Sequence, residues 1–361
     1  MTDSQELQDI RQKIDEVDRT IQKLINERAS CAMRVAEIKR DIEGSSQFYR
    51  PEREAQVLRM VSERNEGPLP GEEVARLFRE IMSACLALEE PMNIAYLGPE
   101  GTFTQAAALK HFGHSVSTTP KTAIDEIFRE VESGSANYGV VPIENSTEGV
   151  VTHTLDTFIN SPLRICGEVD MRIHHNLLSN ADQLENIKTV YAHPQALAQC
   201  REWLDENLAH AAREGVSSNA EAARMVAEGE DGAAIASSAA AELYQLKIVV
   251  SSIEDEPDNT TRFLIIGRKP VPASGKDKTS VMVSAKNKSG ALVSLLQPIS
   301  EQGISMTRIE SRPSRRGNWE YIFFFDIEGH EEDEPVQKAL KMIEDEAAVL
   351  KVLGSYPKAV L

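Results

Sequence analysis

The 361-residue chain contains no apolar run approaching the roughly 20 residues that a helix needs to cross a bilayer. Its opening stretch, MTDSQELQDI, is polar and acidic and lacks the positive and then apolar segments of a secretory leader. Together these absences predict a cytoplasmic protein with no membrane partner. Cysteine is scarce: Cys31, Cys85, Cys166 and Cys200 lie far apart without a CxxC spacing, which argues against a disulfide framework, an iron-sulfur cluster or a zinc site. The histidines form no HExxH, and His174 and His175, read as part of a strand, would point to opposite faces, so no metal is expected. No GxGxxG follows a strand pattern and no GxxxxGK[ST] occurs, so nicotinamide and nucleotide chemistry lose support and no cofactor is expected. Positive charge is also in short supply. With 39 Lys and Arg against 57 Asp and Glu, a net charge of −18 speaks against a nucleic-acid partner. An anionic ligand would need local arginines to overcome that field.

What is present divides the chain into three regions, in keeping with a length too great for one ordinary core. Over residues 1–91, Leu7, Ile10, Ile14, Val17, Ile21, Leu24, Cys31, Val35 and Ile38 recur three and four apart, which predicts one long helix with a heptad seam. Two further helices follow Pro51 and Gly71, and Pro91 ends the helical unit. Over 92–268, short apolar runs such as NIAYLG, YGVVPI, TVYAHP and RFLIIG alternate with alanine-rich helical stretches, an α/β organisation. Residues 269–278, KPVPASGKDK, read as a linker. Over 279–361 the pattern is strand (279–285), helix (290–302), strands (304–312 and 319–327), helix (333–346) and a short last strand, a βαββαβ ferredoxin-like module.

The seam of the first helix is interrupted by Arg28, and an unpaired buried guanidinium would cost about 3–5 kcal/mol, so an anion should face it. An internal glutamate would serve. Lys39, eleven residues on, returns to nearly the same face about 16 Å along the axis, so the pair could instead hold the two ends of a small dianion. Arg11 lies about 42 Å from Lys39 and could join them only from an antiparallel partner helix, which predicts a homodimer or larger homo-oligomer with shared sites.

These residues, with NERAS (Arg28), YRPERE (Arg53, Glu54) and FREIMSACLALE (Cys85, Glu89), resemble the all-helical chorismate mutase family, whose subunits intertwine. The resemblance implies that Arg11 from the partner, Arg28 and Arg53 bind the carboxylates of chorismate. Lys39 and Glu89 would serve the ether oxygen, and Glu54 would accept from the substrate hydroxyl. Cys85 and Glu89 stand where well-studied members carry a serine and a glutamine, so Glu89 must be protonated to donate. Arg50 replaces an aspartate found in some relatives, which leaves that position's role open.

The middle region offers YLGPEGTFTQAA, with Thr102 or Thr104 as a helix cap, and VVPIENSTEGVV, with Glu144, Asn145 and Ser146 at a strand end. AHPQALAQC places His193, read as a cap, before a helix, and SSNAEAARMV places Ser217, Ser218 and Asn219 at another helix start. The succession of GPEGTF, VPIENSTEG, AHPQ, IASSAAAELYQL and NTTRF resembles the prephenate dehydratase family, a two-lobed α/β fold similar to periplasmic binding proteins. It implies Thr102, Asn145, Ser146, Asn259, Thr261, Arg262 and Phe263 around prephenate. Thr261 would assist departure of the hydroxyl, and Glu144 is a second candidate acid. Strand alternation sets Arg262 on the face opposite Thr261 and Phe263, where it would brace the lobe.

KSGALVSLLQPISEQGISMTRIESRPS resembles the ACT family of regulatory domains. The resemblance implies an L-phenylalanine effector, held by Gly290, Ala291, Leu292 and Val293 at a helix start and by Glu310, Ser311, Arg312 and Pro313 at a strand end. The function implied for the whole chain is conversion of chorismate to prephenate and then to phenylpyruvate, under phenylalanine inhibition. The rivals are a non-catalytic amino-acid sensor retaining these folds, and an arogenate-preferring dehydratase with a decayed mutase site.

Overall fold

The computed structural model describes residues 5–43, 49–181, 183–229, 231–285, 289–313 and 321–360. The chain opens on α1 (Gln5–Glu43), α2 (Pro51–Glu63) and α3 (Gly71–Glu89). Pro51 sits in the first turn of α2, where its missing N–H costs no helical hydrogen bond. α2 and α3 pack on one another through Ala55, Leu58, Val61 and Ala75. α1 meets α3 only near its C-terminal end: Ala36 is buried, whereas every residue from Gln5 to Glu27 is exposed, the apolar seam included.

A two-lobed α/β unit follows. Its first lobe runs β1 (Asn93–Leu97), α4 (Phe103–Phe112), β2 (Ser117–Lys121), α5 (Ile124–Ser133), β3 (Tyr138–Asn145), β4 (Gly149–Val150), α6 (Thr152–Asn160) and β5 (Arg164–Arg172). The second lobe runs β6 (Asn176–Ser179), β7 (Thr189–Ala192), α7 (Pro194–Gln199), α8 (Arg201–Asn207), β8 (Ala212–Gly215), α9 (Asn219–Ala227), β9 (Ala233–Ala236), α10 (Ser238–Tyr244) and β10 (Lys247–Val250). The chain then returns as β11 (Thr260–Gly267), which inserts antiparallel between β3 and β5. The first sheet has the order β2-β1-β3-β11-β5, with β4 paired to β3, and the second β10-β6-β9-β7-β8. The two crossings between lobes, after β5 and before β11, are tied by the bond from Ile173 N to the carbonyl of Asn259. His174 and His175 lie on that crossing, not in a strand as expected, because β5 ends at Arg172 and β6 begins at Asn176.

The C-terminal module runs β12 (Asp277–Ala285), α11 (Ala291–Glu301), β13 (Met306–Pro313), β14 (Tyr321–Glu328), α12 (Glu334–Glu346) and β15 (Ala347–Pro357), with sheet order β13-β14-β12-β15. This is the expected βαββαβ arrangement, although residues 319 and 320 of the expected third strand lie outside the described residues. The expected short last strand is instead 11 residues long. Glycine is needed at position 354 within β15: a Cβ there would fall 2.3 Å from the carbonyl oxygen of Ile165, so only glycine lets the strand approach β5.

Side-chain alternation gives the C-terminal sheet two apolar faces. Val281, Val283, Phe325 and Ile327 pack under α11 and α12 with Leu295, Ile299, Val336 and Ile343. Met282, Ile322, Phe324, Leu353 and Tyr356 instead join Val141, Ile143, Leu155, Phe158 and Leu264 in one core with the first lobe. Among the described residues no helix is long and apolar enough to cross a membrane.

Candidate functional site

In the helical unit, Arg28 and Lys39 are half-buried on α1 and face Glu89 in the last turn of α3. Burial pushes the Glu89 carboxyl above its ordinary pKa, while the nearby charges of Lys39, Arg28 and Arg40 pull it the other way. Arg40 also donates from Nη2 to the Glu89 carbonyl at 2.9 Å. Glu89 is therefore the acidic side chain that faces Arg28. Arg11 stands exposed at the far end of α1, and Cys85 is buried one turn before Glu89.

Glu54 is a correction. Its carboxylate lies 3.3 Å from Arg79 Nε, in a buried pocket with Tyr49, His111 and Cys166, turned toward α4 and β5 instead of presented to a ligand of α1. Burial raises its pKa to about 7 against the opposing pull of Arg79. Arg53, one position before, is exposed.

Between the two lobes lies a cleft of about 340 Å³. Thr102, Asn145, Asn259, Thr261 and Phe263 line it from the first lobe and the crossing, and His193, Gln195, Ser218, Asn219 and Ser237 from the second. Among the described residues no lysine, arginine, aspartate or glutamate lines this cleft, so helix starts and not arginines are the groups at hand there for an anion. Thr102 caps α4 and Ser218 caps α9, each side chain accepting from a first-turn amide, so the positive ends of both helices face the cavity. The shorter α7 and α10 are capped by His193 and Ser237, and Ser237 donates to the Gly101 carbonyl at 3.0 Å across the lobes. Amides and hydroxyls can satisfy carboxylates without adding cations to the interior.

A directed chain of hydrogen bonds ends on Thr261. Asn145 Oδ1 accepts from the backbone N–H groups of Thr147 (3.0 Å) and Glu148 (2.9 Å), which fixes the amide's orientation. Its Nδ2 therefore faces Asn259 Oδ1 at 2.7 Å and Thr261 Oγ1 at 2.8 Å. Asn259 Nδ2 continues to Gln199 Oε1 (3.2 Å), which also receives His175 Nε2 at 2.8 Å. His175 is thus the Nε2–H tautomer, and burial lowers its pKa, so it is neutral. Because Thr261 Oγ1 accepts from Asn145, its own hydrogen is left to donate into the cleft.

Three expected residues lie elsewhere. Glu144 alternates away from Asn145 and pairs with Arg308 of β13 at 2.9 Å, so it is no acid in the cleft. Arg262 points to the same far side, bonded to Glu168 (2.9 Å), Asp326 (2.6 Å) and Tyr356 (2.9 Å). It braces the C-terminal module and does not touch the cavity. Ser146 accepts from the Thr260 N–H at 2.9 Å and holds the turn. Gln199, His175 and Ser237 were not among the sequence candidates. All three fall within or beside stretches already singled out, but helix and crossing positions carry no local signal of a shared network.

In the C-terminal module, Gly290 adopts φ +77° at the start of α11, and Val293 is exposed. Arg312 alternates toward the first lobe and binds Asp156 at 3.1 Å, as Arg308 binds Glu144, so its expected effector role is replaced by a docking contact. Ser311 and Pro313 lie on the opposite, exposed side of β13, and Glu310 shares the side of Arg312. Residues 286–288 and 314–320, which flank the two effector motifs, lie outside the described residues.

A helical unit with clustered cations, a two-lobed cleft lined by helix starts and a ferredoxin-like module define a multidomain protein with two candidate small-molecule sites. Family models agree with each part: chorismate mutase type II over residues 10–90, prephenate dehydratase over 94–271 and the ACT domain over 279–345. The chain is 56% identical over 365 residues to the bifunctional chorismate mutase/prephenate dehydratase of Pseudomonas aeruginosa, covering 100% of both chains. It is 46% identical to that of Aquifex aeolicus, covering 99% of both. A crystal structure of prephenate dehydratase in complex with L-Phe from Arthrobacter aurescens is similar at a TM-score of 0.69 and 35% identity, over 73% of this chain and 90% of that one. The chain belongs to the bifunctional chorismate mutase/prephenate dehydratase family.

Proposed function

We propose that the chain rearranges chorismate to prephenate at the α1 cluster, and that its interlobe cleft converts prephenate to phenylpyruvate, carbon dioxide and hydroxide. The observation that carries the second step is the directed amide chain ending on Thr261. As the carboxylate leaves as carbon dioxide, its bonding electrons aromatise the ring and expel the hydroxyl. Thr261 donates a hydrogen bond to the departing oxygen, a stabilisation that does not require full proton transfer from so weak an acid. The starts of α4 and α9 hold the carboxylates.

For the mutase step, Arg28 and Lys39 grip the compact dianion, and protonated Glu89 donates to the ether oxygen. Arg11 comes from a second subunit. The support is the exposed apolar seam on α1, where Ile10, Ile14, Ile21 and Leu24 each keep about half or more of their surface in water. An antiparallel partner helix would cover it, completing a homodimer. L-phenylalanine is the effector we assign to the ACT module, in line with the L-Phe complex of the Arthrobacter enzyme.

The test follows phenylpyruvate formation from prephenate, and chorismate consumption in parallel, for wild type and Thr261→Ala. Loss of the first with survival of the second supports two separate centres. A wild type inert on both substrates would leave the sensor reading, and rates with arogenate above those with prephenate would reassign the substrate.

A further inference from the structure

Strands β3 and β11 carry the cleft's key polar pair on one face and a second charged pair on the other. Asn145 stands in register with Thr261 on the cleft side, and Glu144 in register with Arg262 on the far side. Facing them, Arg308 of β13 and Asp326 of β14 are in turn register partners. The signs are crossed, so Glu144 meets Arg308 at 2.9 Å and Arg262 meets Asp326 at 2.6 Å, forming a square of four alternating charges between the two sheets. Arg262 is further fixed by Glu168 and the Tyr356 hydroxyl, and Lys278 of β12 reaches the same Glu168 at 2.9 Å. Arg262, Glu168, Asp326 and Arg308 are all largely removed from water, where ion pairs are directional and little screened.

The ladder is irregular at this very place. Between β3 and β11 the register slips after Arg262, so that Phe263 opposes Pro142 and Ile143 is skipped. A bulge beside a site sets the direction of the side chains next to it and is the point at which a strand pair can most readily re-aim them.

We propose that Arg262 is a positioning residue for the dehydratase step: with Glu144 it clamps the bulged ends of β11 and β3 to Asp326 and Arg308 of the C-terminal sheet, and that clamp fixes Thr261 relative to Asn145. The regulatory module then acts on the cleft through the backs of the two strands that carry its polar pair. The inference rests on the dehydratase reading of the cleft. It differs from mere docking, because the same two units are also joined by Arg312 and Asp156, which sits on α6 and on neither of the two strands.

The experiment measures prephenate dehydratase kcat, KM and the response to L-phenylalanine, with mutase rate and unfolding midpoint as controls, in the full chain. Asp326→Asn keeps the shape and removes the charge opposite Arg262; Tyr356→Phe removes one hydroxyl; Asp156→Asn breaks the remote ion pair. The expected result is a kcat about 10-fold lower for Asp326→Asn with KM within about twofold, together with a blunted phenylalanine response. Tyr356→Phe should give a smaller change in the same sense, and Asp156→Asn none. An Asp326→Asn enzyme with wild-type kcat and wild-type inhibition overturns the proposal, as does an equal loss in Asp156→Asn, which would make the contacts generic docking. If wild type itself does not turn over prephenate, the dehydratase reading fails first.

Discussion

Asn145 Nδ2 lies 2.8 Å from Thr261 Oγ1 and makes the threonine an acceptor on one side so that it can be a donor on the other. Thr261→Val keeps the shape and removes the hydroxyl, and should lower dehydratase kcat by about 10²–10³-fold while leaving mutase activity intact. Thr261→Ser should retain most of the rate. Asn145→Ala should lower kcat by about 10-fold or more, since the hydroxyl hydrogen is then free to turn toward Asn259. Steady-state rates on prephenate and chorismate check all three, and a fully active Thr261→Val would remove the threonine from the mechanism.

Mutase activity should depend on the proton of Glu89. Burial raises its pKa, so the donor form persists to higher pH than for an exposed glutamate, and the rate should fall as pH rises through that raised value. Glu89→Gln donates at every pH and should give a flat profile. Rate profiles of both forms from mildly acidic to neutral pH decide it; a flat wild-type profile counts against a protonated Glu89.

Glu54 should make stability fall with rising pH. Its folded pKa of about 7 exceeds the ordinary 4.5, so its contribution is fully present below pH 4.5 and is lost as pH rises through about 7. The full span is on the order of 3 kcal/mol. Urea midpoints at pH 5 and pH 8 should therefore separate more in wild type than in Glu54→Gln. Equal separations would place the titration elsewhere.

The α1 seam should govern assembly. Leu24→Glu sets a charge where each subunit would bury a leucine worth about 1.5–3 kcal/mol. Sedimentation should show dissociation, and mutase activity should fall by about 10-fold or more at a fixed concentration, because Arg11 no longer reaches its site. Dehydratase activity should largely persist. A monomeric wild type would contradict the shared site.

The heptad of α1 was readable from sequence because a helix repeats every 3.6 residues, and the same rule set Arg28 and Lys39 on one face; Glu89 came from the chorismate mutase resemblance, and the packing of α3 brings it opposite them. Strand alternation likewise foretold that Arg262 would turn from Thr261 and brace the structure. Alternation applied equally to Glu144 beside Asn145, but a carboxylate at a strand end also suits an acid, and only its partner Arg308, 164 residues away, removes it from the cleft. Glu54 was misplaced for a similar reason: its motif fits a mutase site, while Arg79 and His111 give it another environment.

Sequence by itself determined the three units, the seam, the strand that bears Thr261 and which residues alternate, because these depend on local period and on side-chain type. Tertiary structure alone decided that helix starts and not arginines line the described part of the cleft, that Gln199 and His175 complete the chain to Thr261, and that Arg262 answers to Asp326. Each of those joins groups far apart in sequence, and their distance, burial and hydrogen-bond direction exist only once the lobes and sheets have packed.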